Sequence, residues 1–110
     1  MPKSYVKTIE ALHAAALSLP GASEGVACAG TKLERRTAIV NGKAFLFTGA
    51  ADLRFKLDAS LEAAMEYADA VSAGSGGWAI VRFDMDAKPP SASTLRKWIA
   101  ESYGLFAKHR

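Results

Sequence analysis

The sequence predicts an α+β fold, a single domain over residues 1–110 in which an antiparallel sheet of about five strands carries helices packed on one face. Three observations predict it. The pair Asn41-Gly42 stands between two strand-like runs, ERRTAIV and KAFLF, and both residues tolerate the positive φ that a type I′ hairpin turn requires. Leu53-Arg54-Phe55-Lys56-Leu57 alternates apolar and basic residues, so the two sets face opposite sides of a pleated strand. Helix-spaced apolar residues flank this strand-rich middle at both ends of the chain, the order expected when helices cover one side of an antiparallel sheet. A chain of 110 residues suffices for one core and not for two.

In chain order, Tyr5, Ile9, Leu12, Ala16 and Leu19 recur at intervals of three and four and define one face of an amphipathic helix. Pro20-Gly21 ends it. The stretch ASEGVACAGTKL has little periodicity and is assigned no element. The Asn41-Gly42 hairpin follows, then the turn-like TGAAD and the alternating strand. SLEAAMEYA reads as a short helix starting near Asp58 or Ser60, with Glu62 placed to favour its N-terminal dipole. VSAG and GWAIVRF are strands on either side of a glycine loop. After the breaker DAKPP, Leu95, Trp98, Ile99, Ser102, Tyr103 and Phe106 define a last helix beginning near Ser91 or Ser93. In GWAIVRF, Ala79, Val81 and Phe83 share one face while Trp78, Ile80 and Arg82 share the other, and apolarity alone does not decide which is inner.

With 50% hydrophobic and 23% charged residues the chain reads as a folded globular protein. No apolar run approaches the roughly 18 to 20 residues of a membrane span, and MPKSYVKTIE lacks the apolar core of a signal peptide. The expectation is a cytoplasmic protein without membrane contact. The single cysteine, Cys28, forms no intramolecular disulfide and fits a reducing compartment. The net charge is +3 and the isoelectric point near 9.2, but the charge is uneven. Residues 32–56 carry a balance of +4 and residues 57–94 a balance of −4. The basic surplus of one region points to an anionic partner.

The loop AGSGG lacks the Lys-Ser/Thr of a phosphate-binding P-loop and leads into a strand rather than a helix, so it reads as a turn. Cys28, His13 and His109 have neither the spacing of a thiolate–imidazole pair nor that of metal ligands. Glu62, Glu66 and Asp69 read as a solvated helix face. With no acid–base pair or nucleophile constellation, the expectation is a non-enzymatic protein with no catalytic residue, cofactor or metal. The sheet is more informative. If Leu53, Phe55 and Leu57 point to the helices, Arg54 and Lys56 lie on the uncovered face; with Trp78 and Arg82 there too, cationic heads would surround an aromatic plate, a surface suited to phosphates and stacked rings. The candidate nucleic-acid or anion-binding residues are Lys32, Arg35, Arg36, Lys43, Arg54, Lys56, Trp78 and Arg82. The competing reading is a protein-interaction or homodimerisation module that buries the same face, anchored by Trp78, Ile80 and the Phe45 or Leu46 side of the hairpin.

LPGASEG after the first helix, GKAFLF, LRFKLD, GGW at a strand start and WIAESYGLFA in the last helix, taken in order, resemble the MmcQ/YjbR family of small bacterial proteins over nearly the whole chain. Matching positions are Leu19, Pro20, Gly21, Glu24, Gly42, Lys43, Lys56, Gly77, Trp78, Glu101, Ser102 and Tyr103. The resemblance implies a frataxin-like fold and DNA binding with a double-wing arrangement, and it implies no established reaction or cofactor. This chain has GSGG where some relatives carry a more basic loop before the tryptophan, and its first helix carries only Glu10 where frataxin has an acidic ridge, so an iron role is not expected.

Overall fold

A computed structural model describes residues 4–27, 29–32, 34–67, 69–83 and 88–107. The chain runs through α1 (Ser4–Leu17), β1 (Ser23–Ala27), β2 (Arg35–Val40), β3 (Lys43–Thr48) and β4 (Asp52–Lys56), then α2 (Leu61–Ala64), which continues into a 3-10 turn (Met65–Tyr67). It closes with β5 (Val71–Ala73), a 3-10 turn (Ser75–Gly77), β6 (Trp78–Arg82) and α3 (Ala92–Ala107). The strands form one antiparallel sheet in the order β1-β2-β3-β4-β6-β5. The predicted α+β class holds, with six strands rather than about five. The added strand, β1, comes from the stretch without periodicity. It is an edge strand, largely exposed, and gains its conformation by pairing Ser23 through Ala27 with Ile39 through Arg35.

Asn41 and Gly42 turn the β2–β3 hairpin at φ values of 54° and 77°, as a type I′ turn demands. The register then slips: Ala38 lies opposite Leu46, yet Ile39 lies opposite Ala44. Phe45 is therefore the extra residue of a β-bulge, and Phe45 and Leu46 both point inward, each fully buried.

The core lies between the sheet and the helices. Leu53, Phe55, Ala79 and Val81 are all fully buried on the inner face, facing Leu12 of α1 and Leu95 of α3. Ring contacts mark the seam: Phe55 with Trp98 at 6.4 Å, Phe45 with Tyr103 at 5.4 Å and Tyr5 with Phe83 at 5.2 Å. This packing settles the question apolarity left open in β6: Ala79, Val81 and Phe83 face the helices.

Three consecutive residues of α3 fasten it to the rest of the chain. Glu101 accepts from the backbone N–H of Asp58 (2.7 Å) and Ser60 (3.1 Å) and from the Ser60 hydroxyl (2.7 Å). It thereby binds the start of α2, where Ser60 makes no side-chain cap of its own. Burial pushes the Glu101 carboxyl up, but the bonds from Ser60 and the backbone N–H groups of Asp58, Ser60 and Ala59 outweigh it and leave the group below its ordinary range. Ser102 joins β3 to β4, and the Tyr103 hydroxyl donates to the Pro20 carbonyl. The hairpin tip adds a fourth tie, since the Asn41 amide donates to the carbonyls of Phe106 and Ala107 at the end of the helix. Among the described residues, no helix is long and apolar enough to cross a membrane.

Candidate functional site

Alternation along β4 puts Asp52, Arg54 and Lys56 on the face opposite Leu53 and Phe55, the face the helices leave uncovered. Register carries this face across the sheet, because directly opposed residues share a side. Arg54 lies opposite both Phe47 and Ile80, Lys56 opposite Trp78, and Asp52 opposite Arg82. Arg35 joins them from β2, its guanidinium donating to Asp52 Oδ2 at 3.0 Å; Arg54 approaches the same oxygen at 4.0 Å. One carboxylate is thus shared by two guanidinium groups. Lys32, Lys56 and Arg82 make no ion pair among the described residues, so the face keeps a cationic excess. Lys56 Nζ sits 5.8 Å from the centroid of Phe106, a cation–π distance.

Two clefts lie on or beside this face, and Arg54, which lines the first, approaches Asp52, which lines the second, at 4.0 Å. The first, about 270 Å³, is lined by Phe47, Arg54, Gly74, Ser75, Trp78 and Ile80. Its aromatic side is built by Phe47 and Trp78, edge to face at 5.6 Å, with Phe106 a further 6.1 Å from Trp78. Gly74 and Ser75 of the glycine loop line the cleft as well. The loop can follow this path because Gly77 adopts φ +88° and passes so close to β4 that a Cβ there would lie 2.7 Å from the Leu57 carbonyl oxygen. The glycine run is therefore a turn, as predicted, and it seats Trp78 on the open face. The second cleft, about 290 Å³, is lined by three cations, Lys32, Arg35 and Arg82, by the carboxylates Glu34 and Asp52, and by Ala50 and Ala51. No cluster of metal-ligating side chains occurs among the described residues.

Of the predicted site residues, the structure gathers Lys32, Arg35, Arg54, Lys56, Trp78 and Arg82 on or beside this face. Arg36 is placed elsewhere. It lies opposite Thr48 on the helix side of β2 and forms a two-pronged pair with Glu10 of α1. The bond from Arg36 holds the Glu10 carboxyl below its ordinary range. Lys43 sits at the hairpin tip, beyond the end of the β3–β4 ladder. Phe45 and Leu46, expected as anchors of an interface, are turned into the core by the bulge, and Phe47 takes the outward position. Cys28 and His109 lie outside the described residues.

His13, which the sequence left without a partner, is buried between two side chains: its Nε2–H donates to Glu24 Oε2 at 2.7 Å and its Nδ1 lies 2.7 Å from Thr48 Oγ1. Thr48 is itself buried, so this linkage ties α1 to β1 and β3 rather than presenting a reactive hydroxyl. Glu24, Glu101, Ser102 and Tyr103, four of the positions that carry the family resemblance, thus all act as fasteners of the scaffold. Compared with protein-family models, curated proteins and solved structures, the chain matches none.

Proposed function

We propose that this chain is a non-enzymatic binding module of the MmcQ/YjbR type that takes DNA or another phosphate-bearing ligand on its open sheet face. The observation that carries the reading is one sheet face on which Arg54 lines an aromatic cleft, Lys56 lies opposite its Trp78, and Lys32, Arg35 and Arg82 outnumber Glu34 and Asp52 in a second cleft beside it. Guanidinium groups bind phosphate through paired N–H donors, and Trp78 with Phe47 offers apolar area to a ring. The resemblance in sequence points the same way.

Amide spectra recorded during titration with a short DNA duplex bearing a single-stranded overhang, at low and then at high salt, test the reading. The expected result is salt-sensitive shifts at Arg35, Arg54, Lys56, Trp78 and Arg82 and little change at Arg36 and Lys43. Absence of shifts at low salt overturns it. A second reading, a protein-interaction or homodimerisation module, is favoured by the half-buried Trp78, Phe47 and Ile80 left uncovered on the same face. Sedimentation across a concentration series discriminates it, since a strict monomer removes the homodimer.

A further inference from the structure

Resting on that reading, we infer that the open face is built for an unpaired nucleic-acid strand rather than a duplex, with a base splayed into the Phe47–Trp78–Ile80 cleft and the adjoining phosphates running toward Arg54 and the Arg35–Arg82 cleft. The first argument is one of width. Six strands at about 4.8 Å spacing make a surface about 24 Å across, twice the roughly 12 Å of a B-DNA major groove. The sheet cannot enter that groove, and α1 and α3 pack on its other face.

The second argument is the shape of the aromatic site. Trp78 and Phe47 line a recess together with Gly74 and Ser75, and a base held in a duplex stack presents only its edges to a protein. A base taken out of the stack offers its whole ring, which aromatic side chains bind without regard to sequence. The third is the order of the charges. Lys56, Arg54 and the Asp52 position with its flanking Arg35 and Arg82 follow one another along the outer face of β4 at intervals of about 7 Å, two residues per step. Lys56 and Arg54 therefore stand at the aromatic cleft and Arg35 and Arg82 lie beyond it, flanking Asp52, a spacing of cations that a chain of phosphates leaving a bound base can follow.

The test is binding of a labelled twelve-residue oligothymidylate, of the same strand annealed to its complement, and of thymidine monophosphate, all at low salt. The single strand is expected to bind at least tenfold more tightly than the duplex, and the mononucleotide far more weakly than either. Trp78→Ala is expected to weaken strand binding by about 5- to 100-fold, the range of one lost base–aromatic stack, with Trp78→Phe recovering much of it. Because Trp78 also packs on Phe106, Ser75→Glu serves as a second variant that fills the mouth of the cleft from an exposed loop, and it too should weaken the strand. Duplex bound as tightly as the strand, mononucleotide bound equally well, or a folded Ser75→Glu protein with undiminished affinity each overturns the inference. If duplex binds and the strand does not gain, the anion-binding reading survives; if neither binds at low salt, both fall.

Discussion

The Ser102 hydroxyl donates to the Phe45 carbonyl at 2.6 Å, and the same oxygen accepts the Lys56 N–H at 3.0 Å. A side chain from α3 thus stands in the β3–β4 ladder at the bulge, where the two strands no longer satisfy each other. Ser102 is fully buried, so Ser102→Ala leaves a buried donor and acceptor unpaired. A loss of about 1–3 kcal/mol is expected, read as a lower denaturation midpoint with an unchanged slope.

Glu101 predicts a pH dependence. Its carboxyl is held below its unfolded value, so the stability it contributes is complete above the ordinary carboxylate range and is lost as pH falls through the lowered folded-state value. Glu101→Gln should be less stable than the parent at neutral pH, and the gap should close on acidification below about pH 4. Urea titrations at several pH values measure it; parallel curves for the two proteins would contradict the assignment.

Gly76 and Gly77 both adopt positive φ, but only Gly77 approaches the backbone of a neighbouring strand. Gly76→Ala is expected to lose about 1 kcal/mol, the ordinary penalty for a left-handed residue. Gly77→Ala should lose more, about 3 kcal/mol, because the Leu57 carbonyl must move as well, and hydrogen exchange of the Leu57 amide, which donates to the Gly77 carbonyl at 2.9 Å, should quicken.

His13→Leu removes the buried link between α1 and the sheet. Glu24 is half-exposed and can turn to water, whereas the Thr48 hydroxyl is left without its partner. A destabilisation of about 1–3 kcal/mol follows, and the double variant with Thr48→Val should recover part of it.

Under the proposed function, the cations separate by face. Arg54→Ala and Arg82→Ala should each lower the slope of log affinity against log salt by about 0.7 on a single strand. Arg36→Ala and Lys43→Ala should leave it unchanged, which titrations at four salt concentrations resolve.

Local chemistry made much of this fold legible. Asn41-Gly42 announces its own turn, and the alternation from Leu53 to Leu57 assigns its faces without outside help. Strand β1 was not legible, because an edge strand with mostly exposed residues needs no alternation. The bulge hides in KAFLF, a run apolar enough that either register looks sound. Arg35 and Arg36 could have been told apart, since neighbours in a regular strand, away from a bulge, face opposite sides. The links of His13 to Glu24 and Thr48, and of Glu101 to Asp58 and Ser60, join residues distant in sequence and leave no periodic mark.

The fasteners on α3 also impose a timetable. Strands β1 to β4 follow one another as sequence neighbours, so most of the sheet can form while the chain is still being made. Strand β6 then slots between β4 and β5, and the ties of Glu101, Ser102 and Tyr103 reach back to residues 58–60, 45, 56 and 20 only after α3 has emerged. Until then the inner face of the sheet lacks the helix that carries Leu95, Trp98 and Ile99. The interval in which the nascent sheet is vulnerable to aggregation and proteolysis therefore lasts at least until α3 has been synthesised.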